Sequence, residues 1–116
     1  MLTNFSGSNL PQTDFAGVTV HKGKFEGSAL RGSDFTGADL TGSSFGSCDA
    51  REANFDRTNL TDCTLSTCDL EAASFNKSIL VRTHFTKSGL AGAKFSGIRL
   101  AGAKVTYTDL FLMATI

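Results

Sequence analysis

The sequence predicts an all-β solenoid, and three regularities of spacing predict it. From Phe5 to Leu110 every fifth residue is apolar, across 22 consecutive centre positions without a slip. Two residues before each centre the side chain is small: 20 of these 22 positions hold Gly, Ala, Ser, Thr or Cys, only Val18 and Ile98 being larger. None of the 22 Asp, Glu, Lys and Arg residues falls on either kind of position. A short period held along a whole chain marks a repeat architecture and takes precedence over local propensity.

The period itself excludes ordinary elements. On an α-helix five residues advance about 500°, so successive centres would drift about 140° around the axis. On a flat strand an odd spacing sends successive centres to opposite faces. One buried face requires the chain to bend once in every five residues. Nine of the twelve glycines lie two residues after a centre (Gly7, Gly17, Gly27, Gly32, Gly37, Gly42, Gly92, Gly97 and Gly102), where a corner needs a permissive backbone.

Ser33-Asp34-Phe35-Thr36-Gly37 and Ala38-Asp39-Leu40-Thr41-Gly42 carry a motif of a small residue, Asp or Asn, then Phe or Leu, and Ala53-Asn54-Phe55 and Thr58-Asn59-Leu60 repeat its start. In this the chain resembles the pentapeptide-repeat family over nearly its whole length. Lys24, Ile79, Lys94 and Arg99 depart from the motif before the centre. The resemblance implies a right-handed quadrilateral parallel β-helix with four pentapeptides, or 20 residues, per coil. Right-handedness is also the general rule for parallel crossovers. The chain of 116 residues would then make about five and a half coils in one domain, 1–116, with repeats over 3–112 and an apolar tail over 111–116.

A 20-residue coil sorts the centres onto four faces. Phe5, Phe25, Phe45, Leu65, Phe85 and Val105 share face one, and Phe15, Phe35, Phe55, Phe75 and Phe95 share face three opposite. Face two takes Leu10, Leu30, Ala50, Leu70, Leu90 and Leu110; face four takes Val20, Leu40, Leu60, Leu80 and Leu100. These centres are the expected core, with Ala50 its weak point. A small domain buries enough only because each coil shares its core with its neighbours.

Little in the sequence points to catalysis. Cys48, Cys63 and Cys68 all take the small inward position and read as core thiols, Cys48 and Cys68 one coil apart on face two. No His, Asp or Glu shares that interior, and His21 and His84 lie outward on different faces. No base–nucleophile pair, paired buried carboxylates or phosphate loop is present, so the expectation is a non-enzyme without cofactor or metal. The first residues enter the repeat without a basic or apolar leader, and no segment has the length of a membrane span, which gives a cytoplasmic expectation.

Charge carries the remaining information. The net charge is zero, yet residues 34–71 hold eight acids against Arg51 and Arg57, while residues 77–104 hold six bases and no acid. The candidate partner surface is therefore Asp49, Glu52, Asp69 and Glu71, running with Asp109 along face two, and Lys77, Arg82, Lys87, Lys94, Arg99 and Lys104, wrapping faces three, four and one. Like charges stacked one coil apart repel, so an acidic stripe carries a cost without a partner. After Leu110 the pattern breaks, and Phe111, Leu112, Met113 and Ile116 are the candidate contact of an end-to-end C-terminal homodimer, since an open solenoid end exposes strand edges and core.

Three functions compete. The first is a non-catalytic protein-binding or scaffold module. The second is implied by the resemblance: some such proteins look like duplex DNA in shape and charge and bind a type II topoisomerase, gyrase, giving quinolone tolerance. The third is a repeat segment of a larger bacterial effector. Direct nucleic-acid binding is disfavoured, because no exposed aromatics interleave with the basic residues.

Overall fold

A computed structural model describes residues 3–106 of the chain. The backbone winds as a right-handed, four-sided parallel β-helix. Parallel bridges join residues 20 apart, as in Asp14 to Asp34, Asp34 to Asn54, and Asn54 to Ser74. On face one the chain stays extended long enough to form four short strands: β1 (Ser44–Gly46), β2 (Thr64–Ser66), β3 (His84–Thr86) and β4 (Lys104–Thr106). They make one parallel sheet in chain order, with Phe45 opposite Leu65, Leu65 opposite Phe85, and Phe85 opposite Val105.

Each corner has a definite chemistry. The residue two after the centre is left-handed at all 20 corners from Gly7 to Gly102: nine glycines with φ of 68–75° and eleven other residues with φ of 52–61°. A positive φ at this place is what a type II turn demands. The turn closes through bonds such as Ser8 N to the Phe5 carbonyl at 3.0 Å and Ala38 N to the Phe35 carbonyl at 3.0 Å. The Asp or Asn before the centre accepts the N–H two residues on: Asp34 Oδ1 from Thr36 at 2.9 Å, Asn54 Oδ1 from Asp56 at 2.8 Å, Asn59 Oδ1 from Thr61 at 3.1 Å. This is the physical content of that motif position, a side chain that presets the turn.

The core is two ladders of rings. On face three Phe15, Phe35, Phe55, Phe75 and Phe95 stack with centroids 4.8–5.0 Å apart and nearly parallel planes. Rings of face one meet them edge-on, as Phe45 meets Phe55 at 6.0 Å and 88°. The stacking distance equals the spacing between coils, about 4.8 Å, so the backbone rise and the ring thickness agree. Phe25, Phe45, Phe85, Leu30, Leu40, Leu60, Leu65, Leu70, Leu80 and Leu90 are also buried, whereas Phe5 and Leu10 in the first coil are partly covered. Leu100, expected in the core, is 48% exposed. It belongs to the last coil described on face four. Leu110 lies outside the described residues.

The small inward position does more than leave room. At most of these places its hydroxyl or thiol donates to the carbonyl of the centre 23 residues earlier, one coil below, while Ser78 donates to Phe75 of its own turn at 2.6 Å. Ser28 bonds to Phe5 at 2.7 Å, Ser33 to Leu10 at 2.6 Å, Thr58 to Phe35 at 2.6 Å, Thr83 to Leu60 at 2.7 Å and Ser88 to Leu65 at 2.7 Å. Cys48, Cys63 and Cys68 do the same, to Phe25 at 2.8 Å, to Leu40 at 3.0 Å and to Phe45. Every buried side-chain nitrogen or oxygen among the described residues has a partner.

Candidate partner surface

The outward side chains sit on a grid whose spacing the backbone fixes: neighbours along the rod are one coil apart, and corners project between faces. Six charged residues of the middle coils, Glu52, Arg57, Asp62, Lys77, Arg82 and Lys87, occupy left-handed corners where the end coils mostly carry glycine. All six are exposed. A non-glycine residue forgoes about 1 kcal/mol in this conformation.

On face two the expected acidic stripe is not a stripe of one sign. Arg51 stands between Asp49 and Asp69, at 2.8 Å and 3.7 Å, and Arg31 reaches Glu52 at 3.1 Å. The two arginines relieve the repulsion that the acids alone would carry. The guanidinium of Arg51 holds the Asp49 carboxyl below its ordinary range, and Asp49 in turn raises Arg51. Glu71 is exposed in the same row.

The basic region divides as well. Arg82 is bidentate to Asp62, at 2.6 and 3.1 Å, which lowers that carboxyl, so its charge is largely spent within the molecule. Lys77, Lys87, Lys94 and Arg99 are exposed and make no ion pair among the described residues. Lys104 lies in β4. On face four His21 Nε2 meets Asp39 at 2.7 Å, and the Thr41 hydroxyl and His21 together lower the Asp39 carboxyl. Asp109, Phe111, Leu112, Met113 and Ile116 lie outside the described residues.

The cysteines are buried and unbridged. Burial pushes the Cys63 thiol up to about 12. The hydrogen bond with Cys48, together with burial, raises Cys68. A thiol so held is a poor nucleophile. Among the described residues no three His, Cys, Asp or Glu side chains gather to hold a metal ion, and no helix is long and apolar enough to cross a membrane.

Comparison with known proteins agrees with this architecture. The model of a pentapeptide repeat region matches residues 38–110, and that of pentapeptide repeats in eight copies matches residues 2–37. The chain belongs to the pentapeptide-repeat family. Among solved structures it is similar to a pentapeptide repeat protein of the Arabidopsis thaliana thylakoid lumen, at 34% identity over 78% of this chain and 60% of that one, with a TM-score of 0.62. It also superposes on QnrB1, a plasmid-mediated fluoroquinolone resistance protein. One QnrB1 structure gives a TM-score of 0.79 at 18% identity, covering 97% of this chain and 65% of the other. A second gives 0.65 at 27% identity, covering 94% and 54%. The chain thus spans about 60–65% of the length of the Arabidopsis protein and of the first QnrB1 structure. No curated protein matches it in sequence.

Proposed function

We propose that this pentapeptide-repeat protein is a non-catalytic binding module that meets a protein partner along the charged corners of its middle coils. The observation that carries this reading is the replacement of glycine by Glu52, Arg57, Asp62, Lys77, Arg82 and Lys87 at left-handed corners. Glycine fits those corners without strain, and the end coils mostly use it. Retained backbone strain at exposed positions is a feature of sites kept for function. The coil-to-coil bonds of the inward hydroxyls and thiols hold the grid rigid, so little side-chain and backbone ordering opposes association.

The test replaces all six with glycine. The variant should fold with equal or greater stability, because each change removes strain. Proteins retained from the native host by the parent chain on a column should be absent from the variant's eluate. Equal retention of the same proteins by both would refute the corner surface.

A second reading takes the partner to be a type II topoisomerase. It is favoured by the fold shared with the fluoroquinolone resistance protein QnrB1 and by the acids of the middle coils. The arginines threaded through face two and the unpaired bases beyond it weigh the other way, since a DNA-binding groove is basic and attracts a uniformly acidic rod. Protection of gyrase supercoiling from a quinolone by the purified chain would support it; unchanged inhibition would exclude it.

A further inference from the structure

Face three differs from the other faces in how its charges are placed. It bears Asp14 and Asp34 on its first coils, Asp56 and Arg57 together on the middle one, and Lys77 and Lys94 on its later ones. None of the six makes an ion pair among the described residues. Asp34 bonds only within its own turn, to Thr36, and Asp56 to Ser74 and the Asn76 N–H. On faces two and four, by contrast, opposite charges have already met within the molecule, as in Arg51 with Asp49 and Arg82 with Asp62.

The order along the rod is symmetric with opposite sign. The coil carrying Asp56 and Arg57 is the middle of the five described on this face, Asp14 lies two coils to one side and Lys94 two coils to the other. Asp14 and Lys94 stand in the same row, joined by the bridges that run Asp14 to Asp34, Asn54, Ser74 and Lys94. A two-fold axis through the middle coil, lying in the plane of the face and perpendicular to the rod, reverses the rod and keeps each row opposite itself. Asp14 of one copy then faces Lys94 of the other, at both ends of the contact. Lys77 comes opposite Gly37, three residues along the strand from Asp34, and in the middle coil Asp56 and Arg57 each meet their own copy across the axis with the opposite charge one residue away. A parallel arrangement would set the acids of the early coils against each other and the lysines of the later coils against each other.

We propose that face three is a self-complementary surface, on which a second copy of this chain docks face to face and antiparallel. Such an interface is isologous, the usual form for a homodimer. It is also small: the molecule measures 35 × 23 × 21 Å, so one face offers less than the roughly 800 Å² per partner of a standard stable complex. The dimer is accordingly weak and sensitive to salt, with charge setting its orientation. It is distinct from the C-terminal end-to-end contact and rests on neither Phe111 nor Leu112.

Sedimentation of the intact chain tests it. At low salt a monomer–dimer equilibrium should appear at high micromolar concentration, shifting toward monomer by about tenfold or more in roughly 0.5 M salt. Asp14→Lys alone and Lys94→Asp alone should each be monomeric, since each places like charges together. Mixed in equal amounts, the two variants should form a heterodimer. The introduced lysine of the first then meets the introduced aspartate of the second, while the native Lys94 of the first meets the native Asp14 of the second. Lysine is already accommodated in this register at Lys94, and circular dichroism would verify that both variants fold. A monomeric parent chain at low salt would overturn the proposal. So would a dimer that both single variants retain, which would place the contact elsewhere.

Discussion

The inward hydroxyl at Thr58 makes a sharp test of what joins one coil to the next. Its Oγ1 donates to the Phe35 carbonyl at 2.6 Å, and the residue is fully buried. Thr58→Val keeps the shape and deletes the donor. A net hydrogen bond is worth about 0.5–1.5 kcal/mol, and an orphaned buried acceptor would add more. The Phe35 carbonyl is not orphaned, because it still accepts the Ala38 N–H at 3.0 Å. The expected cost is therefore about 1 kcal/mol and not 3. The reciprocal change is Ala53→Ser, which places a hydroxyl opposite the Leu30 carbonyl, 23 residues back, and should gain up to about 1 kcal/mol. Urea unfolding with an unchanged slope would report both as shifts of midpoint in opposite directions. Unchanged stability in Thr58→Val together with a loss in Ala53→Ser would show that the small position is chosen for size alone.

Phe55 is stacked at 5.0 Å on both Phe35 and Phe75 and fully buried, so Phe55→Ala should cost about 3–5 kcal/mol, against less than about 0.5 for the exposed Lys87→Ala. Equal melting shifts for the two would contradict the inward and outward assignment. Cys48, Cys63 and Cys68 should react with a thiol reagent only as fast as the molecule opens; immediate titration of three thiols in the native state would show them accessible. Asp34, Asp39, Asp49 and Asp62 all have lowered carboxyls, so below about pH 4 the unfolded chain takes up more protons than the folded one, and stability should fall as pH drops through the folded values. The triple change Asp34→Asn, Asp39→Asn and Asp49→Asn should flatten that fall in urea midpoint between pH 5 and about pH 3, and an equally steep profile would disprove the attribution. Asparagine keeps the turn, as Asn54 and Asn59 already show.

The parts of this molecule that were legible in the sequence are those written in a single residue's identity at a fixed spacing. Phe35 and Phe55 are apolar, they recur, and one bend per five residues is the only geometry that buries both. What the sequence hid depends on pairs. Thr58 reads as small, and its role as a donor appears only once the carbonyl 23 residues earlier is known to lie beneath it. The glycines betrayed nine of the left-handed corners, but Glu52 and Arg57 sit in the same conformation and carry no local mark of it. Counting charge along windows of the chain made an acidic middle and a basic end. Across coils Arg82 falls on Asp62, 20 residues away, and Arg51 falls between Asp49 and Asp69. The 20-residue register was enough to predict the first of these pairs, since both residues hold the same place in the coil.

The distinction between charges already paired and charges left unpaired decides where recognition can be sought. An exposed pair such as Arg82 and Asp62 contributes little to the fold in solvent, and a partner would have to break it to use either charge. An unpaired residue carries no such cost. By that criterion Asp49 and Asp69 lose weight as partner contacts, the paired corners Asp62 and Arg82 count for less than the unpaired corners Arg57, Lys77 and Lys87, and Lys94 and Arg99 keep their weight. The residues that keep it lie on faces three, four and one of the later coils, while the unpaired acids of face three, Asp14, Asp34 and Asp56, lie on its first three coils. On face three unpaired acids occupy the early coils and unpaired bases the later ones, and Asp14 and Lys94 hold the same row at its two ends. That arrangement suits a partner whose own charge reverses along its length, and a second copy of this rod is the simplest such partner.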